Sequence, residues 1–405
     1  MKPVAMDDGL PGADRGLRDV VETVWQPGEA TMVHVSLGAG AGAAAETYFV
    51  LPHPARARLL LPADNLTAAR RALGAYRGLR TAPAAAWARV IRASVLSSGP
   101  ASRALRRLQV HAGPGAERLL PLLAAELGRS GALRASLAVR RPGPFSKPTL
   151  GLFDAAGHPV AYAKVGRSPV TDAMVRQEAT VLEALHGRLS TVTTPQLLGR
   201  ISWQGHPVTV TAPLPGQARR LTTEPLEMAP TLWEVAASGE LGDHDLSEST
   251  YLHRLRARIE SCAESYPELA DLLRQWCDEL SATAGSLRFG RSHGDWVSWN
   301  LGVHRGGVVV WDWEQSVPDA PVGFDACHWY FQRARLTGTL AGAAAAVGTM
   351  APGLVRLGVA GEDTTTVADL YLLDRSVGGV EAAAATGVDA DLLAYGELAR
   401  GRAGR

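Results

Sequence analysis

Residues 291–314 read RSHGDWVSWNLGVHRGGVVVWDWE. Asp295 ends a His-Gly-Asp tripeptide, Asn300 lies five residues further on, and Asp312 ends an apolar run. The Arg-Gly-Gly sequence at 305–307 predicts a hairpin turn between a strand that follows Asn300 and a strand that precedes Asp312. The two strand ends would then place Asn300 beside Asp312.

This set of side chains is suited to phosphoryl transfer. One carboxylate accepts the proton of an attacking hydroxyl, while an amide oxygen and a second carboxylate hold a hard cation against phosphates. An ordinary hairpin with an Asp-Asn turn is the alternative, and His-Gly-Asp alone would not distinguish the two. The full pattern HGDxxxxN, followed by an apolar strand and Asp-Trp-Glu, favours the phosphoryl-transfer interpretation.

The stretch resembles the aminoglycoside phosphotransferase and choline kinase branch of the protein-kinase-like fold. The resemblance covers residues 135–405 and implies Asp295 as the catalytic base, with Asn300 and Asp312 as Mg²⁺ ligands. It further implies an enzyme that moves the γ-phosphoryl group of ATP to a hydroxyl of a small-molecule acceptor. An aminoglycoside, an amino-alcohol or a sugar-like compound would fit this class.

Two internal lysines fall where such a fold would meet nucleotide phosphates. The chain has only three lysines among its 41 basic residues. Lys147 and Lys164 therefore indicate sites where a compact ammonium group is required instead of a guanidinium. Strands predicted at 136–140, 150–153 and 160–165 enclose a loop at 142–149, and the last strand carries Lys164. The loop resembles the Gly-x-x-Ser-x-x-Thr loops of the family, which implies phosphate contacts from Gly143, Ser146 and Lys147.

A helix predicted to end near residue 185 carries Glu178 in the middle of its apolar face. A carboxylate in an apolar stripe costs several kcal/mol unless it is paired. Lys164 is the expected partner, because a Lys–Glu pair positions the α- and β-phosphates in kinases. The alternative is a solvated helix residue. Further along, Tyr266-Pro267 predicts a break between two helices.

We therefore predict an α+β, two-lobed protein-kinase-like fold with an additional N-terminal module. Residues 1–131 would form the α+β module of unknown role, residues 132–216 the kinase-like N-lobe, and residues 217–405 the helical C-lobe. Residues 51–141 hold sixteen arginines against three carboxylates, a net charge of +13, which indicates either a solvated cap or contact with an anionic partner. Residues 231–290 carry a net charge of −6, which permits a cationic acceptor.

Composition sets further expectations. The hydrophobic share of 46% and charged share of 20% describe a globular protein. We expect no nucleic-acid partner, since no nucleic-acid motif accompanies the basic charge. No apolar run reaching the ~18 residues of a membrane span and no secretory signal are recognised, and the three isolated cysteines fit a reducing compartment. The cytoplasm is the expected location.

The sequence leaves alternatives for several residues near the His-Gly-Asp tripeptide and for the function. Asp325 either braces the catalytic loop or caps the helix that follows. Trp296 and Trp299 are candidates for the lining of an acceptor pocket, and His293 is expected to shape the loop rather than carry protons. The rival function is a non-catalytic nucleotide-binding scaffold that binds an anionic partner through the basic module.

Overall fold

The computed structural model describes residues 10–28, 30–38, 44–75, 86, 89–91, 105–214, 218–387 and 391–402. It divides into two compact units. The first comprises Met1–Ala179 with Pro195–Gly216, and the second comprises Thr180–Thr194 with Gln217–Arg405. We call the first the sheet unit and the second the helical unit.

Strands and helices are numbered along the described chain. The strands are β1 Val33–Leu37, β2 Glu46–Leu51, β3 Leu59–Pro62, β4 Arg107–Ala112, β5 Arg134–Ala138, β6 Thr149–Phe153, β7 Pro159–Val165, β8 Val192–Thr193, β9 Leu197–Trp203, β10 His206–Thr211, β11 Arg219–Arg220, β12 Gly242–Asp245, β13 Ser286–Ser292, β14 Leu301–His304, β15 Gly307–Val310 and β16 Val317–Pro321. The α-helices are α1 Arg15–Val24, α2 Leu66–Ala75, α3 Leu119–Glu126, α4 Pro169–Leu185, α5 Ala229–Ala237, α6 Thr250–Ala263, α7 Pro267–Thr283, α8 Phe324–Arg335, α9 Leu340–Met350, α10 Thr364–Thr386 and α11 Leu392–Arg400.

The sheet unit is built on nine strands in the order β1-β4-β2-β3-β5-β6-β7-β10-β9, and every pairing is antiparallel. Helix α1 packs on this sheet. Its N-cap Asp14 accepts a hydrogen bond from the Leu17 amide at 2.8 Å, and its buried side chains recur at the spacing of one helix face. These buried side chains are Leu17, Val20, Val21 and Val24.

The domain boundary drawn near residue 131 does not coincide with a division in the structure. Strand β3 pairs with β5 through Leu59 opposite Ala138 and Leu60 opposite Leu137, so one sheet crosses the boundary. Leu17 shares a single hydrophobic core with Val165 and Val208, which belong to the expected N-lobe. The described residues between 10 and 131 therefore belong to one compact unit with the strands that follow, because they share its sheet and its hydrophobic core.

The charge of residues 51–141 is only partly described. Residues 76–85, 87–88 and 92–104, which carry four of the sixteen arginines, lie outside the described residues. Among the others, Arg134 pairs with Asp64, and Arg107 lies over the Phe49 ring at 5.6 Å. The anionic partner of this region stays a prediction.

The helical unit contains two small sheets, in the orders β11-β14-β15-β8 and β12-β13-β16. The predicted break at Tyr266 is present, since α6 ends at Ala263 and α7 begins at Pro267. Helix α10 runs through the core, and Arg258 of α6 donates to Asp374 at 2.8 Å and to Glu381 at 2.7 Å on α10. The second chain segment of this unit begins at Gln217, which is also the first residue of the predicted C-lobe.

One segment of the described chain, Leu340–Leu357, is long and apolar enough to cross a membrane by length and composition, with a mean hydropathy of 1.4. The expectation that no such run exists was wrong. Leu340, Ala343 and Val347 of α9 are buried within the unit, which is how the core helix of a globular protein behaves. The segment is weak evidence for a membrane span.

The shared core of the sheet unit generates a stability prediction. Leu17→Ala removes a fully buried side chain and should lower the free energy of unfolding by about 2–5 kcal/mol. Leu122→Ala, at a position 39% exposed on α3, is the matched control and should change it by less than about 1 kcal/mol. Urea denaturation followed by circular dichroism measures both. A separate early transition in Leu17→Ala, with the main transition unmoved, would show that α1 belongs to an independent module.

Candidate active site

Strand β13 ends at Ser292 and delivers the His-Gly-Asp tripeptide, and the hairpin predicted after it is present. Arg305 and Gly306 have φ values of 49° and 82°, the left-handed pair that a tight hairpin turn requires. Leu301 pairs with Val310, so the Trp311 amide donates to the Asn300 carbonyl at 3.1 Å. The hairpin thereby brings Asn300 next to the residue that precedes Asp312.

The Asp295 carboxylate is held between two donors. Asn300 Nδ2 donates to Asp295 Oδ2 at 2.8 Å and to the Asp295 carbonyl at 3.0 Å. His328 Nε2 lies 3.0 Å from Asp295 Oδ1, and its Nδ1 lies 3.0 Å from the Tyr371 hydroxyl. Because the ionised carboxylate only accepts, His328 carries its proton on Nε2, and Nδ1 accepts from Tyr371. The carboxylate is thus fixed in direction as well as in position.

The pKa values of this pair agree with that assignment. Burial by itself raises the pKa of Asp295, but the hydrogen bond from His328 and favourable electrostatic interactions with the His328 and His293 side chains bring it below its usual range. Burial lowers the pKa of His328. At neutral pH Asp295 is therefore ionised and His328 is neutral, as the hydrogen bonds require.

Asn300 and Asp312 offer the oxygen ligands expected for a hard cation. Since Nδ2 of Asn300 faces a carboxylate, its amide oxygen points away from Asp295, and that oxygen makes no hydrogen bond within the described residues. Asp312 adopts a left-handed backbone with φ 73°, and its charge raises the pKa of Asp295 slightly against the larger effects. No group of three or more His, Cys, Asp or Glu side chains that could hold a metal exists in the described ranges. The pair fits Mg²⁺, which takes one or two protein ligands and fills the rest with water and phosphate oxygens.

Asp325 braces the catalytic segment. Its carboxylate accepts from the Ser292 hydroxyl at 2.8 Å, from the His293 amide at 2.8 Å and from the Gly294 amide at 2.9 Å. Gly323 occupies the N-cap of α8, and no side chain caps that helix. Of the two alternatives that the sequence left open, the structure therefore selects the brace.

His293 is fully buried and shapes the loop. Its Nδ1 accepts from the Asp295 amide at 3.2 Å, so its Nε2 carries the proton that is donated to the Trp311 carbonyl at 3.1 Å. Trp313 packs edge-on against the imidazole at 4.6 Å. Trp296 is also completely buried, so the expectation that it lines an acceptor pocket was wrong. Trp299 is half-buried.

The residues that the sequence predicts for nucleotide binding lie in the sheet unit. Lys164 of β7 sits opposite Thr149, the residue that ends the loop at 142–149. Lys164 Nζ lies 2.8 Å from Glu178 Oε1, and the Glu178 side chain is 4% exposed, which excludes a solvated helix residue. Lys147 is buried, and the loop closes as a turn in which the Ser146 amide donates to the Gly143 carbonyl at 3.0 Å.

Sequence reasoning missed His328 and Tyr371. His328 lies three residues after Asp325 on α8, so both share a helix face directed at the catalytic segment, and this spacing was the available signal. Tyr371 carried no local signal, because its contact with His328 joins helices that are far apart in sequence.

These features define a phosphotransferase of the protein-kinase-like class, and comparison with known proteins agrees. Residues 154–354 match the model of the phosphotransferase enzyme family. The match spans just under half of the chain and confirms the resemblance to this phosphotransferase family seen in the sequence. No curated protein matches the chain.

Several solved structures are similar over most of their length. The gentamicin complex of APH(2")-IIa has 12% identity and a TM-score of 0.43, covering 69% of this chain and 93% of that chain. Choline kinase LicA from Streptococcus pneumoniae has 15% identity and a TM-score of 0.40, covering 66% and 88%. The putative fructosamine-3-kinase from Haemophilus somnus 129PT has 12% identity and a TM-score of 0.43, covering 70% of this chain and 95% of that chain.

The His328 contact generates a test. His328→Leu should lower kcat by about tenfold or more without raising the KM for nucleotide, because the carboxylate loses one of its two positioning donors. His328→Gln places an amide N–H near the former Nε2 and should restore part of the rate. Steady-state kinetics measures both. Equal losses in the two variants, with KM rising in parallel, would contradict a positioning role.

Proposed function

We propose that this enzyme transfers the γ-phosphoryl group of ATP, with Mg²⁺, to a hydroxyl of a small molecule. The observation that carries the proposal is the Asp295 carboxylate, ionised and held by Asn300 and His328 at the end of the His-Gly-Asp loop. Asn300 and Asp312 supply the ligands for Mg²⁺, which when bound neutralises charge on the phosphate oxygens.

Asp295 is the proposed base. Each of its oxygens accepts one hydrogen bond in the structure and keeps a second lone pair, so either can accept the proton of the acceptor hydroxyl. A carboxylate with a lowered pKa is a weak base, and the proton moves late in a loose transition state. Positioning of the hydroxyl therefore contributes more than proton affinity.

The sheet unit supplies the proposed contacts to the nucleotide. Lys164, oriented by Glu178, would contact the α- and β-phosphates. Gly143, Ser146 and Lys147 of the adjoining loop would face the phosphates through backbone and side-chain donors. Three prolines in this loop remove amide donors, so the cradle relies on fewer N–H groups than a glycine-rich loop.

The acceptor class is proposed as an aminoglycoside, an amino-alcohol or a sugar-like molecule. The acidic stretch at 231–290 gives limited support to a cationic acceptor, because many of its carboxylates are already paired. Asp243 binds Arg288, Glu260 binds Arg274, and Asp278 binds Arg256. Contact of residues 51–141 with an anionic partner remains a further proposal, which salt-dependent binding would test.

We also propose a cytoplasmic location. Cys262, Cys277 and Cys327 are free, buried thiols, which supports a reducing compartment, and ATP is the proposed donor. Nothing in the described residues favours the non-catalytic scaffold.

Substitution of Asp295 and substitution of Asp312 should affect turnover and ATP binding differently. Asp295→Asn keeps shape but loses the base and its charge, so turnover should fall by roughly 10² or more while ATP binding survives. Asp312→Asn removes a charged Mg²⁺ ligand, so Mg²⁺-dependent ATP binding should itself weaken. ATP hydrolysis and titration calorimetry on identically purified variants measure these. If wild type turns over no faster than Asp295→Asn with any acceptor, and both bind ATP equally, the scaffold replaces the enzyme.

The nucleotide site has its own test. ATP with Mg²⁺ should raise the melting temperature of the wild type, because a ligand that binds only the folded state stabilises it. Lys164→Ala should reduce that shift. Lys2→Ala is the control, because Lys2 is the one lysine of the sequence without a proposed phosphate contact, and it should leave the shift unchanged. An unchanged shift in Lys164→Ala would remove this residue from the phosphate site.

A further inference from the structure

Arg167 holds the loop at 142–149 through hydrogen bonds to its backbone carbonyls. This residue was not identified from the sequence. Its Nε donates to the Ser146 carbonyl at 2.7 Å and its Nη2 donates to the Gly143 carbonyl at 3.0 Å. Its Nη1 donates to the carboxylate of Asp19 on α1. One guanidinium thus joins two points of the loop to a helix near the start of the chain.

The guanidinium is well suited to this task. Its five N–H groups form a rigid planar fork, so contacts to separate acceptors fix their relative positions. The Gly143 carbonyl also accepts from the Ser146 amide, so Arg167 adds to an existing turn. A trans peptide is planar, and the Ser146 carbonyl faces Arg167, so the amide N–H of Lys147 points to the opposite side.

Helix α1 presents Asp19 from a fixed position. Gly16 packs so closely that an added Cβ would lie 2.3 Å from the carbonyl oxygen of Arg140, which lies two residues beyond the end of β5 and just before the loop. Near the other end of the helix, Trp203 Nε1 donates to the Thr23 carbonyl at 3.3 Å. Asp19 and Arg167 are mostly buried, with side-chain exposures of 16% and 23%, so their pairing is shielded from solvent.

We propose that Asp19 and Arg167 form a clamp through which helix α1 sets the conformation of the phosphate-contacting loop. Helix α1 lies outside residues 154–354, which match the family model. The clamp therefore gives the N-terminal part of the chain a role in nucleotide binding. Arg167 and Asp19 are positioning residues: they act on the nucleotide through Gly143, Ser146 and Lys147. The inference rests on the proposed function of that loop.

The test uses the full-length chain and ATP with Mg²⁺ in titration calorimetry. Arg167→Met keeps the apolar stem and removes all three contacts, so the Kd for ATP should rise about tenfold, the scale of losing hydrogen bonds from a charged group. Asp19→Asn should weaken binding less, since it keeps a polar contact to the guanidinium. The double variant should bind no more weakly than Arg167→Met alone, because both act through one interaction.

Arg18→Met is the matched control. Arg18 lies on the same helix, and its guanidinium donates to the carbonyls of Leu10 and Ala13 at the start of that helix. This variant should bind ATP as the wild type does. Arg167→Lys should recover only part of the affinity, because one ammonium cannot span the separated acceptors.

The outcomes separate this inference from the proposed function. If the wild type does not bind ATP, the proposed function fails. If the wild type binds and Arg167→Met, Asp19→Asn and Arg18→Met all bind equally, the clamp is wrong and α1 is only structural. A merely structural role would lower the melting temperature of Arg167→Met and leave the ATP affinity of the folded protein unchanged. Asp19→Asn decides the question if Arg167→Met fails to fold.

Discussion

The buried carboxylate of Asp325 is the constraint on which the catalytic segment depends. A buried carboxylate costs several kcal/mol unless donors surround it, and here three donors from Ser292, His293 and Gly294 do so. The same bonds satisfy backbone amides that a tight loop leaves without partners. Gly294 is required at this point, since its φ is 80° and a Cβ would lie 2.3 Å from the Gln315 carbonyl. The direction of the following carboxylate is fixed as a result.

A second set of contacts orients Asp295 itself. His328 and Tyr371 reach it from α8 and α10, so helices distant in sequence set the geometry of a loop residue. The chain of neutral donors costs less to bury than a charged partner would, and it leaves the carboxylate ionised. The helical unit therefore both surrounds the proposed base and fixes its orientation.

The N-terminal part of the chain is built into the sheet unit. The nine-stranded sheet has no edge at the boundary drawn near residue 131, because β3 and β5 occupy neighbouring positions. Helix α1 covers this sheet with Leu17 in the shared core and presents Asp19 to Arg167. The helix that covers an apolar sheet face is thereby also in contact with the residue that holds the loop beside it.

Local patterns in the sequence determined the hairpin after Asn300, the helix break before Pro267 and the α+β class, because turn residues and helix breakers act over short distances. They also determined the Lys164–Glu178 contact, because a buried carboxylate needs a cation and few lysines were available. Only the tertiary structure decided the rest. Whether residues 10–131 stand alone depends on strand pairing between distant segments, which hydrophobic alternation does not specify. The tasks of Asp325 and His328 were likewise fixed by long-range packing of helix α8, since each side chain has several chemically acceptable partners until the fold selects one.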